Sequence, residues 1–363
     1  MSVSQHIQIL HEYGAPSHVQ ALRSALLKRI GRAPKHYTFS LFGAEGRKAG
    51  AVRLLSNLLN LASLLVSRGS VVVLGIAPFD RRMKLLRWVL RGHLVHLHTS
   101  WHKWDGSFQP HNLPDSQTAA AKIESSWRKF LQEDVSSIIC VTEAGAASLK
   151  DNYEISARIS VIPHSVNEGI FFPGEASANR EKLRLLYVGR LIPKKGLATI
   201  FRLAKSDIAN LIQVTFVGDG SSSGETAEFC KLHTNCNHLT YCQNPEKLAD
   251  LFRSSDILLL PSRRTDSWEE LFGIVIIEAL ACGVVPIATD HVGPREIIDH
   301  CRNGYLFSED EYFTKTAKLL RELHADPKAL MTMRQRAIES SKRYFSASLE
   351  EKWLGALGMR AIS

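Results

Sequence analysis

The chain has 363 residues, 45% of them apolar and 22% charged, with a formal net charge of +9. That length supports two domains with cores of their own. No run of about twenty uninterrupted apolar residues supplies a spanning helix, and the N-terminus MSVSQHIQIL lacks the charged and apolar regions of a signal peptide.

Six scattered cysteines fall short of a secreted disulfide scaffold, so a reducing cytoplasm is the expectation. Charge is uneven along the chain. Met1 to Lys103 holds fifteen Lys/Arg and three acidic residues, a net of +12 against +9 for the whole, which leaves −3 for the remainder. A basic half either suits an acidic partner, such as anionic lipid or nucleic acid, or solvates outer helices.

Residues 6–10 read as a first strand. HEYGAPSHVQALRSALLKRI then brings a glycine turn and Val19, Leu22, Leu26 and Ile30 at helical spacing. Strand, glycine loop and helix form either an ordinary turn or an anion site. An amphipathic helix is predicted over 50–68. SVVVLGIAP follows as a short β-branched strand of the kind buried in a parallel sheet. RRMKLLRWVLRG predicts a helix with Lys84, Arg87 and Arg91 on one face and Trp88 among leucines. It suits either a membrane surface or packing on the sheet. In LVHLHTSWHKWDG, polar and apolar residues alternate into a strand that ends in a polar-aromatic cluster. His96, His98 and His102 lack convincing further metal ligands nearby. A strand end of an open α/β domain faces its ligand crevice, so His98 is read as a substrate contact. Trp101 and Trp104 either stack on a sugar ring or pack. A helix over 116–131, a strand–turn–helix in SIICVTEAGAASLKDNY and a strand in ISVIPHSV follow. This alternation implies a doubly wound parallel sheet. NEGIFFPGEASANREK, rich in Pro, Gly, Ser and charge, reads as a linker.

LRLLYVGRLIPKKGLATIFRLAK opens a second α/β domain. Its strand ends at Gly189, and Arg190 and Lys195 lie in the loop before the next helix. An Arg fork and a Lys ammonium there suit a diphosphate; the same loop can simply be basic and solvated. Gly218-Asp219-Gly220 ends another strand without the third glycine of a dinucleotide fingerprint. Cys230, His233, Cys236, His238 and Cys242 crowd thirteen residues but contain no CxxC pair, and packing is favoured over zinc. NPEKLADLFRSSDILLLPS is a helix and a buried strand. It feeds PSRRTDSWEELFGIVIIEALACGVVPIA, where Glu270 and Glu278 stand with seven residues between them. A helix is expected to begin near Gly273. Its first amides favour phosphate, and Glu278, about a turn further on, can accept from vicinal hydroxyls. The alternative is an amphipathic helix with a solvated glutamate before it. Strand, Gly-Pro loop, short helix, turn and strand follow to NGYLF, and the tail YFSASLEEKWLGALGM is helical.

Taken together, VIPHSVNEGIFFPG, LYVGRLIPKKG, ELFGIVIIEALACGVVPIAT, GPREII with NGYLF, and FSASLEEKW resemble, in this order, family 4 of the retaining glycosyltransferases. The resemblance implies an α/β fold of GT-B architecture. Its two Rossmann-like doubly wound domains, 1–170 and 183–340, are joined by a linker at 171–182, and a terminal helix at 341–363 crosses back. It implies a donor in the cleft between the domains. Arg190 and Lys195 would bind the donor diphosphate and Glu270 the donor sugar. The backbone from Phe272 and Gly273 through Ile274 and Val275 would meet phosphate, and Glu278 the ribose. Gly14 of Gly14-Ala15 stands in the family's Gly-Gly loop, and His98, with His102 as rival, near the transferred sugar. The implied activity is metal-independent, retaining transfer of a hexosyl group from a nucleoside-diphosphate sugar to a glycan or lipid-linked acceptor, as in envelope polysaccharide or glycolipid synthesis. No cofactor and no nucleic-acid partner are expected. The basic half would rest on the anionic inner face of a membrane. A sugar-nucleotide epimerase of the same fold and a non-catalytic docking module are the competing readings.

Overall fold

The computed structural model describes residues 7–12, 16–31, 33–38, 51–106, 116–175, 181–266 and 268–359. The chain divides into two compact units, one of residues 1–165 with 346–363 and one of residues 166–345.

In the first unit the elements run β1 (Ile7–His11), α1 (Gln20–Ile30), β2 (Lys35–Thr38), α2 (Ala51–Val66), β3 (Val71–Gly75), α3 (Met83–Val89), β4 (Leu94–Thr99), α4 (Gln117–Lys129), β5 (Val135–Cys140), α5 (Glu143–Asn152) and β6 (Arg158–Val161). The six strands are parallel in the order β2-β1-β3-β4-β5-β6. Helical crossovers place helices on both faces of such a sheet. This explains why Val71–Gly75 is buried throughout rather than on alternate residues. The alternation in β4 therefore does not mark a wet face: His96 and His98 are both buried. His96 is bonded at 2.7 Å to Ser137 of the neighbouring strand. One face of the sheet packs around Trp104, Trp127 and Phe130, the other around Leu22, Leu26 and Trp353.

The second unit runs β7 (Leu183–Val188), α6 (Leu197–Lys205), β8 (Ile212–Val217), α7 (Ser223–Leu232), β9 (Cys236–Leu239), α8 (Pro245–Arg253), β10 (Ile257–Leu260), α9 (Ile274–Ala281), β11 (Val285–Thr289), α10 (Val292–Ile297), β12 (Tyr305–Phe307), α11 (Tyr312–Ala325) and α12 (Pro327–Ser341). The last helix, α13 (Ser346–Ala356), belongs to the first unit. It lies against α1, where Glu350 takes hydrogen bonds from Ser24 at 2.7 Å and Lys28 at 2.8 Å. The second sheet is again all parallel, in the order β12-β11-β10-β7-β8-β9. From β7 the chain winds outward through β8 and β9, then returns to the other side of β7 with β10. The crevice beyond the carboxyl ends of β7 and β10 is the switch point, where open α/β sheets bind ligands.

Candidate functional site

The loops after β7 and β10 meet at that switch point. The first carries Gly189, Arg190 and a 3-10 turn, Pro193–Lys195. It ends at Gly196 with φ of 75°, where a Cβ would lie 1.8 Å from the carbonyl oxygen of Pro261. Only glycine permits that approach, which presses the turn against the start of the β10 loop. The amide of Arg263 donates to Lys194 O at 2.8 Å and ties the loops again. As a result Lys195 Nζ donates to the Glu270 carboxylate, which also accepts from Ser262 Oγ at 3.3 Å. Both side chains of the pair are only 13% exposed.

The backbone of Glu270 is held by the loop after β11. Its N–H donates to His291 Nδ1 at 3.0 Å, and its carbonyl accepts from Gly293 N at 3.1 Å. Since Nδ1 accepts, the proton of His291 sits on Nε2, 3.1 Å from Glu309 Oε1. Burial holds the His291 pKa below its ordinary value although Glu309 opposes this, so the ring is neutral at pH 7. Trp268 lies under two cations, with Lys194 and Lys195 Nζ 4.7 and 4.9 Å from its ring centroid. Burial, followed by the charges of Arg190 and Lys195, lowers the Lys194 pKa. Three cations on one loop make a positive field at the strand ends.

Helix α9 opens into the same place. Its N-cap is Gly273, with φ of 89° and ψ of 65°, a left-handed conformation that side chains resist. The first amides of a helix have no acceptor within it and carry the positive end of its dipole. They belong here to Ile274 and Val275. Behind them is a cavity of about 480 Å³ whose wall includes Arg190, Asp219, Tyr241, Ile274, Val275 and Glu278. Glu278 is enclosed enough that burial pushes its carboxyl up to about 7. Val217 and Leu248 give this cavity an apolar side. The pocket is thus lined by one cation of the loop, Arg190, by the start of α9, by a carboxylate and by an apolar wall, and it is of ligand size.

Of the expected residues, Arg190, Ile274, Val275 and Glu278 line one cavity, Lys195 pairs with Glu270, and Gly273 caps α9. The Phe272 side chain is buried, with Tyr344 edge-on at 6.4 Å, so only its backbone is placed to meet a ligand. Gly14 lies outside the described residues. In the first unit His98 is buried, its ring 5.3 Å from that of Trp353 and 5.8 Å from that of His164. Its Nε2 has no hydrogen-bond partner among the described residues. His18 and His164 follow at 4.4 Å, and His11 and His18 at 5.4 Å. Burial, then the neighbouring rings, holds His98 far below the ordinary imidazole range, and His11 falls to about 3. His102 is buried too.

The cysteine–histidine group of residues 230–242 is spread over separate jobs. His233 packs 4.3 Å from the Phe229 ring, His238 Nε2 bonds Gly218 O at 3.1 Å, and Cys242 Sγ bonds Asn244 O at 3.3 Å. No metal-holding group of three occurs among the described residues.

Sequence reasoning missed Asp219, Tyr241, Trp268, His291 and Glu309. Asp219 lay in the glycine pair dismissed as a fingerprint; its Oδ2 accepts from Tyr241 N at 2.9 Å. His291 and Glu309 are eighteen residues apart and carry no motif.

Two parallel six-stranded α/β units define the GT-B class of fold. The chain superposes on sucrose-phosphate synthase from Thermosynechococcus elongatus with a TM-score of 0.72 at 18% identity, covering 98% of both chains. It superposes on Anabaena Alr3699/HepE in complex with UDP and glucose with a TM-score of 0.68 at 16% identity, covering 98% of this chain and 99% of that one. Residues 171–343 match the family described as glycosyl transferases group 1. A D-inositol 3-phosphate glycosyltransferase of Segniliparus rotundus is 29% identical over 230 residues, 57% of this chain and 48% of that protein. A probable sucrose-phosphate synthase of Thermosipho melanesiensis is 30% identical over 178 residues, 47% of this chain and 41% of that protein. The chain spans about half the length of the curated relatives it matches.

Proposed function

We propose that the protein is a retaining glycosyltransferase that takes a nucleoside-diphosphate sugar as donor and a glycan or lipid-linked hydroxyl as acceptor. One observation carries the reading: Arg190, the start of α9 at Ile274 and Val275, and the Glu278 carboxylate line one cavity in a region that matches the group 1 family, and the loop that supplies Arg190 also carries Lys195, paired with Glu270. In the related folds named above, HepE was solved with UDP and glucose, and a ligand of that chemistry suits each part of this cavity. The diphosphate would meet Arg190, Lys195 and the amides of Ile274 and Val275. Glu278 would accept from the ribose hydroxyls, and the base would lie between Tyr241 and the apolar wall. Glu270, charge-balanced by Lys195, would accept from the sugar hydroxyls.

In the reaction the anomeric C–O bond to the β-phosphate breaks, and the electron pair leaves with the diphosphate. The acceptor oxygen bonds the anomeric carbon on the same face, and its proton passes to the departing phosphate. Arg190, Lys195 and the helix amides stabilise the charge that grows on the leaving group. No enzymic nucleophile and no metal enter this scheme.

The test is consumption of a panel of nucleotide sugars by the purified chain, with and without chelator, and assignment of the product anomer. Lys195→Ala and Glu278→Ala should each lose most turnover while remaining folded, and the anomer should be retained. Near-wild-type turnover in both variants contradicts the reading. Product formed without any acceptor would favour the epimerase instead.

A further inference from the structure

The first unit carries a surface that the donor site does not use. Helix α2 is apolar on two sides. Its inner side buries Leu61 and Leu64, and also Asn57, which is bonded by Thr38 at 3.2 Å. Its outer side shows Leu55, Leu58, Leu59, Ala62 and Val66, a stripe at the i, i+3, i+4, i+7 and i+11 spacing of one helix face. Leu59 is 61% exposed and Val66 87%. Helix α3 packs beside α2 and extends the patch with Leu85, 50% exposed, and Trp88, 59% exposed.

Single exposed leucines are ordinary. A continuous stripe is not, because a surface helix turns its polar face to water. Basic side chains rim the stripe. Lys84, Arg91 and Arg68 are exposed, and the Arg68 stem lies 3.8 Å from the Cβ position of Gly92, next to Arg91. Arg87 is already paired, with Glu133 at 3.0 Å and with Asp134. From residue 51 to residue 104 the sequence has eight Lys/Arg and a single acid, Asp80. That acid is buried and bonded to Arg82 at 2.5 Å.

We propose that α2 and α3 form the face by which the protein docks on an anionic lipid bilayer. The leucines, Val66 and Trp88 would enter the boundary between headgroups and acyl chains, and Lys84, Arg91 and Arg68 would meet lipid phosphates. Charge selects this occupant. A nucleic acid would match the basic rim but has no use for five exposed aliphatic side chains on α2, and a second copy would set the same basic rim against itself. No helix among the described residues is long and apolar enough to cross a membrane, so the contact is peripheral.

Flotation of the full chain with phosphatidylcholine vesicles, with and without phosphatidylglycerol, tests this. Binding should require phosphatidylglycerol and weaken as salt rises. Lys84→Glu with Arg91→Glu should lower it by about fivefold per charge or more. Leu55→Ser with Leu59→Ser should lower it about tenfold or more, with the melting temperature unchanged because both positions are exposed. Binding indifferent to phosphatidylglycerol, or unchanged in the leucine variant, overturns the proposal. So does a dimer seen by light scattering that the leucine variant dissolves, or stronger binding to duplex nucleic acid than to the vesicles. The docking face and the donor cavity are in different units. A nucleotide-induced melting shift measured on the same variants therefore reports the donor reading separately, and that reading can fail without this one.

Discussion

Glu278 is the side chain whose environment makes the sharpest demand. Its carboxyl is raised from 4.5 to about 7 by burial. The unfolded chain therefore gives up this proton first, and the folded state loses stability as pH rises from the unfolded value through the folded one, after which the loss levels off. Glu278→Gln has no such proton. The stability of wild type relative to Glu278→Gln should fall by on the order of 3 kcal/mol across that window, measured by urea unfolding at each pH. A difference independent of pH would contradict the enclosed carboxyl. The same titration governs the ligand. The ionised form is the better acceptor for two ribose hydroxyls, so nucleotide affinity of wild type relative to Glu278→Gln should rise between about pH 6 and about pH 8.

His291 touches the backbone of Glu270 and the Glu309 carboxylate. Its Nδ1 fixes the Glu270 backbone, and its Nε2–H is anchored on Glu309. His291→Phe leaves Glu270 N–H and the Glu309 carboxylate without that partner, at a cost of about 1–3 kcal/mol. As a positioning residue it should lower kcat and leave KM near wild type. His291→Asn, whose side-chain oxygen can stand where Nδ1 stands, should recover part of kcat. Equal losses in both variants, or a loss confined to KM, would contradict the assignment.

At the scale of elements, the helix start at Gly273 was legible because its signals are local: a buried strand, a polar loop, glycine, then an apolar run. The observed helix begins at Ile274. Gly273→Ala forces a side chain into the left-handed region and sets its Cβ 2.9 Å from Ile276 Cδ1. It should destabilise the unit by about 1–2 kcal/mol and weaken nucleotide binding beyond that, because the amides of Ile274 and Val275 turn with the cap. Binding that falls no more than stability predicts would argue against those amides as phosphate ligands. Strand β2 went unread because KHYT is four residues at a sheet edge with no apolar pattern. The alternation of polar and apolar residues in β4 does not expose its histidines, since a strand inside a parallel sheet buries both faces.

For the whole molecule, alternating strands and helices gave two doubly wound sheets, but periodicity holds no information on strand order. That β7 and β10 are neighbours follows from pairing between residues about seventy apart, Ile257 with Leu185 and Leu258 with Leu186. With it comes the meeting of Lys195 and Glu270, which no spacing rule shows. The histidine group of the first unit was illegible for the same reason: His11, His18, His98 and His164 come from four separate segments. What was legible in the second unit was the set of residue types at strand ends, because those loops supply the ligand groups of any open α/β sheet. The outward stripe of α2 was half legible. Amphipathicity was visible, but not that both its sides are apolar.

The central claim is that the switch-point cavity of the second unit holds a nucleoside diphosphate. The most direct measurement is the melting temperature of the full chain against UDP, GDP, ADP and their sugars, without added metal, for wild type and for Lys195→Ala. A ligand that binds only the folded state must raise the melting temperature. The account predicts a clear rise with one nucleoside in wild type and its loss in Lys195→Ala. No rise with any nucleotide, or the same rise in Lys195→Ala, would contradict it.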